Sequence, residues 1–77
     1  MPFRANALLN VTHHTRRFSI MERGHDGWEV RDEQDDRILK QALYTDWHRV
    51  ERALNIFAIA IDDLESRGWR ASEATTR

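Results

Sequence analysis

The C-terminal third of the chain has the apolar periodicity of a long helix. Between Thr45 and Trp69 apolar residues recur every three or four positions, and at about 100° per residue they fill an arc of roughly 200°. They are Trp47, Val50, Ala53, Leu54, Ile56, Phe57, Ala58, Ala60, Ile61 and Leu64. An ordinary surface helix needs about half that arc. The pattern therefore predicts an amphipathic helix with more apolar surface than so small a domain can cover.

Both ends of this helix are marked in the sequence. Asp46 and the threonine before it can accept hydrogen bonds from the unpaired amides of a first helical turn. Gly68 can adopt the left-handed conformation that ends a helix, which would bring Trp69 back onto Leu64. We expect the helix to span residues 46–67.

The segment before the helix alternates between apolar and polar residues, as strands do. Phe18 and Ile20 are followed by Trp28 and Val30, and a three-residue loop with Gly27 in the left-handed position would place all four on one face. The loop at Asp35-Asp36 leaves the register of a third strand open. A two- or four-residue loop turns Leu39 and Leu43 toward the helix, whereas a three-residue loop turns Ile38, Lys40, Ala42 and Tyr44 inward and buries a lysine. We favour the first.

The predicted fold is α+β, with a three-stranded antiparallel meander packed against one long C-terminal helix (β-β-β-α) over residues 15–69. Residues 1–14 are expected to form a flexible N-terminal arm, and residues 70–77 a disordered tail. The helix, about 33 Å long, outruns strands of about 25 Å. Its overhanging half, which contains Ile59, Ile61 and Leu64, must then be covered either by the arm around Leu8, Leu9 and Val11 or by a second subunit.

The excess apolar arc favours a homodimer as the first hypothesis for function. An antiparallel helix pair in a two-fold dimer buries the same patch on both copies. The residues expected at or near this contact are Ile56, Phe57, Ile59 and Ala60. The protein would then be a small non-enzymatic interaction module whose main partner is itself. Docking onto a larger protein is a third hypothesis that the sequence does not separate from self-association.

The runner-up hypothesis is a nucleic-acid-binding domain that uses the outer face of the sheet. In the favoured register this face carries Arg17, Arg31, Lys40 and Tyr44 as candidate contacts. Some DNA-binding domains lay a three-stranded sheet backed by a helix into the major groove. Glu29 and Glu33 share the face and would repel phosphates, so we rank this hypothesis second.

Composition and motifs point away from several other classes of protein. The 77 residues carry a net charge of −1, have no cysteine and contain nothing that approaches a membrane span, which suits a cytoplasmic protein with no membrane partner. The histidines, His13, His14, His25 and His48, lack a chelating spacing, so no metal site is expected. No serine lies in a nucleophile elbow and no glycine-rich phosphate loop exists. We therefore expect no catalytic residues, no cofactor and no enzymatic activity.

Three segments together carry a resemblance to known proteins. They are Gly27-Trp28-Glu29-Val30-Arg31, the run Tyr44-Thr45-Asp46-Trp47-His48-Arg49-Val50-Glu51-Arg52-Ala53, and the closing Gly68-Trp69. The chain from Arg17 to Trp69 resembles short uncharacterised bacterial proteins of about this size. The resemblance implies a β-β-β-α unit in a bacterial cytoplasm and carries no activity with it.

Overall fold

The computed structural model describes residues 4–72, and the structural statements below concern that part of the chain. It is an α+β fold with one antiparallel sheet and one long helix near its C-terminal end. The elements are β1 (Arg4–Val11), β2 (His14–Glu22), β3 (Trp28–Gln34), β4 (Arg37–Tyr44), α1 (Trp47–Ser66) and β5 (Arg70–Ala71). The five strands lie in the order β4-β3-β2-β1-β5. The prediction of a helix behind an antiparallel meander is confirmed, but the expected number of strands was wrong.

The first additional strand lies in the segment expected to be a flexible arm. β1 pairs with β2 along its whole length, from Arg4 opposite Met21 to Val11 opposite His14. Its Leu9 is completely buried beneath the helix. Alternate residues of β1 face the helix. The sequence does not reveal this alternation, because the consecutive apolar residues Ala7-Leu8-Leu9 hide the period of two that is typical of a strand.

The second additional strand, β5, is two residues long and comes from the segment expected to be a tail. Arg70 and Ala71 pair with β1, and the amide of Ser72 donates a hydrogen bond of 2.7 Å to the carbonyl oxygen of Leu8. β5 therefore covers the outer edge of β1 only near its C-terminal end, at residues 8–10. The remainder of the expected tail, residues 73–77, lies outside the described residues.

The first predicted hairpin has the expected faces. Ile20 lies opposite Val30, and Glu22 lies opposite Trp28, so the apolar residues of β2 and β3 share the helix side of the sheet. The loop is longer than three residues and contains a short 3-10 turn at Gly24–Asp26. Since the extra residues keep the parity, the prediction of a shared face is confirmed.

The register of β4 differs from the favoured prediction because the strand contains a bulge. Both residues of the Asp35-Asp36 turn have positive φ, which is typical of a two-residue type I′ hairpin. The pairing then shifts between Glu33 opposite Ile38 and Asp32 opposite Lys40, which leaves Leu39 as an extra residue. One extra residue exchanges the two faces of the strand. Lys40, Ala42 and Tyr44 consequently lie on the helix side, as in the register that we did not favour.

The helix begins and ends where the sequence predicted. The Asp46 side chain accepts a hydrogen bond of 3.0 Å from the amide of His48. At the other end Gly68 has a φ of +98°, and the amides of Trp69 and Gly68 donate to the carbonyl oxygens of Leu64 and Glu65. These two bonds form a Schellman motif, and Trp69 packs against the cluster that contains Leu64.

The helix crosses the sheet diagonally over two apolar clusters. Its first half contributes Val50 and Ala53 to a cluster on β2 and β3, whereas Leu64 packs in a second cluster with Leu9 and Phe18. Phe57 contacts both clusters, and its ring lies 4.8 Å from that of Phe18. Because of this diagonal, the helix leaves part of β3 and β4 uncovered on its own side of the sheet.

Candidate functional site

The four residues predicted at a dimer contact differ in their exposure. Ile59 is 71% exposed and Ile56 is 51% exposed, whereas Phe57 and Ala60 pack partly into the protein's own core. Of these four residues, only the two isoleucines therefore have large apolar side chains available to a partner.

These isoleucines lie within a short line of residues along the solvent side of α1. Arg52 lies one turn before Ile56, and Asp63 lies one turn after Ile59, so the four occupy one side of the helix. We call Arg52, Ile56, Ile59 and Asp63 the outer stripe. Asp63 forms an ion pair of 3.2 Å with Arg67, and both side chains are exposed. The outer stripe thus has an apolar centre with a cation at one end and an anion at the other.

Much of the overhanging half of the helix is covered by the protein itself. Leu64 is buried against Leu9 of β1, and Ile61 packs against the same cluster. The sequence left open whether the N-terminal segment or a second subunit would cover this half. The structure assigns Leu64 and Ile61 to the first alternative and leaves Ile59 exposed.

The four residues predicted to contact nucleic acid do not form one surface. Arg17 and Arg31 lie on the sheet face away from the helix, whereas Lys40 and Tyr44 lie on the helix side because of the bulge at Leu39. The predicted composition of the outer face was therefore wrong on β4. Ile38 precedes the bulge and lies on the outer side, as the favoured register predicts, whereas Leu43 lies there against the prediction; both are exposed.

A network of charges occupies the centre of the outer sheet face. The Glu29 carboxylate accepts hydrogen bonds from Arg31, at 3.0 Å, and from the Gln41 amide, and it forms an ion pair of 3.3 Å with Arg23. Arg31 also lies 3.9 Å from Glu33. The hydrogen bond from Arg31, followed by that from Gln41, lowers the pKa of Glu29 below its ordinary value. Arg31 is thus largely neutralised by carboxylates of its own strand.

Glu29→Gln should reduce the loss of folding stability that accompanies a fall in pH. A carboxylate whose pKa is lowered by folding stabilises the protein above its unfolded pKa of about 4.5, and this stabilisation is lost as the pH falls through the lower folded value. Urea unfolding at a series of pH values from about 6 down to 3 should show a smaller loss of stability for the variant than for the wild type. Glu65→Gln is the matched control, because Glu65 makes no side-chain ion pair within residues 4–72. Equal slopes for Glu29→Gln and the wild type would contradict this role.

A groove lies between α1 and strands β3 and β4, where the diagonal helix leaves the sheet uncovered. Its volume is about 300 Å³. The apolar lining consists of Phe18, Val30, Ala53, Ile56, Phe57 and Ala60. The polar lining consists of Asp32, Lys40, Tyr44, Arg49 and Arg52. We call this the helix–β4 groove.

The one carboxylate in the groove lining is already paired. Arg16 donates two hydrogen bonds to Asp32, from Nε at 2.7 Å and from Nη2 at 2.8 Å, and both side chains are largely buried. The guanidinium also lies 5.1 Å above the Phe18 ring. The hydrogen bond to Asp32 raises the pKa of Arg16. The charge of Asp32 is therefore balanced within the protein.

The cations of the groove are not balanced in this way. Lys40, Arg49 and Arg52 form no ion pair or side-chain hydrogen bond with any residue in the described range. Lys40 extends from the sheet wall, while both arginines extend from the helix wall. The lining thus carries three unpaired positive charges above an apolar floor.

Sequence reasoning missed this groove for a specific reason. Arg49 and Arg52 belong to the polar side of the predicted helix, and Lys40 and Tyr44 were assigned to the opposite sheet face. Only the bulge at Leu39 brings the strand residues to the helix side. The alternative register with a three-residue loop, which turned Lys40 inward, correctly placed this lysine on the helix side.

The described residues contain neither a metal-binding cluster nor a membrane-spanning helix. Among residues 4–72, no three histidine and carboxylate side chains are close enough to hold a metal ion together. In the same range, no helix combines the length and apolar character that a bilayer crossing requires. Comparison with protein-family models, curated proteins and solved structures gave no match.

Proposed function

We propose that this protein is a small non-enzymatic interaction module that forms a homodimer through the outer stripe of α1. The observation that supports this most directly is Ile59, which is 71% exposed on a regular helix. Ile56 lies beside it and is half-exposed. A pair of large aliphatic side chains held rigidly on a helix is a suitable centre for a helix–helix contact.

The sequence of the stripe suits an antiparallel, two-fold pair. If the two-fold axis passes between Ile56 and Ile59, Ile56 of each subunit contacts Ile59 of the partner subunit. Arg52 and Asp63 lie four residues outside this pair on either side. The same axis therefore brings Arg52 of each subunit to Asp63 of the other, so that opposite charges meet at both ends of the contact.

The isoleucines and the charged residues contribute differently to such a dimer. Full burial of an isoleucine side chain contributes about 1.5–3 kcal/mol, and the two-fold axis buries four in total. An exposed ion pair contributes only about 0.2–1 kcal/mol. The isoleucines should therefore set the affinity, while Arg52 and Asp63 favour the antiparallel orientation over the parallel one.

The nucleic-acid hypothesis receives less support from the same geometry. Its four candidate residues lie on two faces of the sheet, and Arg31 is engaged by Glu29 and Glu33. A flat basic surface that could follow a phosphate backbone is not formed by these residues. The outer stripe is the better-supported surface.

Sedimentation equilibrium at micromolar concentrations tests the proposal. The wild type should sediment as a dimer, and Ile59→Glu should sediment as a monomer with unchanged helix content by circular dichroism, because a buried glutamate at the contact has no partner. Ile38→Glu is the matched control, since Ile38 is 50% exposed but lies on the outer face of β4. This variant should remain dimeric.

Reversal of the stripe charges tests the antiparallel orientation. Arg52→Glu should weaken the dimer by placing a carboxylate against Asp63 of the partner subunit, and adding Asp63→Arg should restore it. A wild type that stays monomeric throughout the concentration range would overturn the proposal. Dissociation by Ile38→Glu rather than Ile59→Glu would move the contact to β4.

A further inference from the structure

We propose that the helix–β4 groove binds a small carboxylate with a hydrocarbon or aromatic body. The body would lie on the floor formed by Phe18, Val30 and Phe57, with Ile56 at the rim. The volume of about 300 Å³ falls at the lower end of the range for small-molecule sites. A floor of this composition favours an apolar body, because it offers few hydrogen-bonding partners to a sugar or a base.

The charges of the lining determine which head group the body should carry. Lys40 on the strand wall and Arg49 and Arg52 on the helix wall flank the groove, and none is paired within residues 4–72. Arginine binds a carboxylate through two parallel hydrogen bonds, and lysine adds a point charge. A cationic head would instead face three like charges at close range.

Asp32 does not change this preference for an anionic head group. Its carboxylate lines the groove and accepts two hydrogen bonds from Arg16, so its charge is already paired within the protein. A second anionic group along the body of the ligand would instead lie on the apolar floor, where it has no partner. The groove is therefore matched to a monocarboxylate rather than to a nucleotide or a polyanion.

This site does not depend on self-association. The floor and the sheet wall belong to one subunit, and Lys40 and Arg49 lie outside the outer stripe. Arg52 and Ile56 belong to both surfaces, which makes the monomeric Ile59→Glu variant a useful background. Ligand binding by that monomer would establish the groove whether or not the wild type dimerises.

Calorimetric titration with three ligands of equal chain length tests the proposal. Decanoate, decanol and decylammonium share the same body and differ in head charge. The two ionic ligands are used below their micelle-forming concentrations, and decanol is used below its solubility limit. Decanoate should bind about ten-fold more tightly than decanol, which corresponds to about 1.4 kcal/mol, and decylammonium should not bind measurably. In a nitrogen-15 correlation spectrum, the amides of Ala53, Ala60 and Val30 should shift on titration with decanoate.

Variants of the groove cations complete the test. Lys40→Gln and Arg49→Gln should each weaken decanoate binding about three-fold, and the double variant should weaken it about ten-fold, because each removes one charge near the head. Arg17→Gln removes a cation from the opposite sheet face and should leave binding unchanged.

Three results would overturn the proposal. They are equal affinity for decanoate and decylammonium, insensitivity of decanoate binding to the double variant, and amide shifts confined to residues outside the groove.

Discussion

Leu9→Ala should lower the free energy of unfolding by about 2–5 kcal/mol. Leu9 is completely buried and joins Phe18 and Leu64 in the second core cluster, so truncation removes apolar contacts and leaves a cavity under the end of the helix. A 77-residue chain has a thin core, and a loss of this size is a large share of its stability. Urea unfolding followed by tryptophan fluorescence would measure it.

The matched control for this prediction is Leu39→Ala. Leu39 is 54% exposed at the bulge of β4, so the same truncation should change stability by less than about 0.5 kcal/mol. Equal effects of the two substitutions would show that β1 does not complete the core. The comparison thus distinguishes a strand of the sheet from the flexible arm that the sequence suggested.

Gly27→Ala should destabilise the fold by about 4 kcal/mol or more, or prevent folding. Gly27 has a φ of +105°, and a Cβ atom at this position would lie 2.2 Å from the carbonyl oxygen of Tyr44. Because the obstacle is backbone, a change of side-chain rotamer cannot relieve it. Thermal unfolding followed by circular dichroism would measure the loss.

Gly68→Ala separates the collision from the effect of backbone conformation. Gly68 has a similar φ of +98°, yet a Cβ atom there meets nothing within 4 Å. Its substitution should cost only about 1–2 kcal/mol, the penalty of a left-handed conformation. Similar losses of stability for the two substitutions would mean that the backbone around Tyr44 shifts to accommodate the added Cβ atom.

The helix could be predicted closely because its signals are local. Asp46 and Gly68 act on amides and carbonyls within a few residues, so the helix ends do not depend on the rest of the fold. The first hairpin was also accessible, since the parity of its loop alone decides which residues share a face.

The remaining strands depend on contacts that are distant in the sequence. β1 is held by pairing with β2 and by burial of Leu9 beneath Leu64, and β5 exists only because β1 offers an edge. The bulge at Leu39 has no local marker such as glycine. A loop-length argument therefore gave the correct turn but the wrong face for the part of β4 beyond Leu39.

The candidate surfaces were also predictable only where they depend on the helix alone. Exposure of Ile56 and Ile59 follows from the helical period, and the structure bears it out. Phe57 and Ala60 lie further toward the sheet, where the diagonal crossing makes them part of the core. The helix–β4 groove required both the crossing direction and the strand faces, so helical periodicity alone could not locate it.

The bulge at Leu39 also bears on the solubility of the protein. β5 covers part of one border of the sheet, whereas β4 forms the other border and exposes Ile38, Leu39 and Leu43. A long, regular and apolar border strand is a template for fibril growth. The irregular pairing interrupts that template after a few residues and places Lys40 beside the break. The same extra residue that gives the groove its lysine thus hinders the edge-to-edge pairing of one sheet with another.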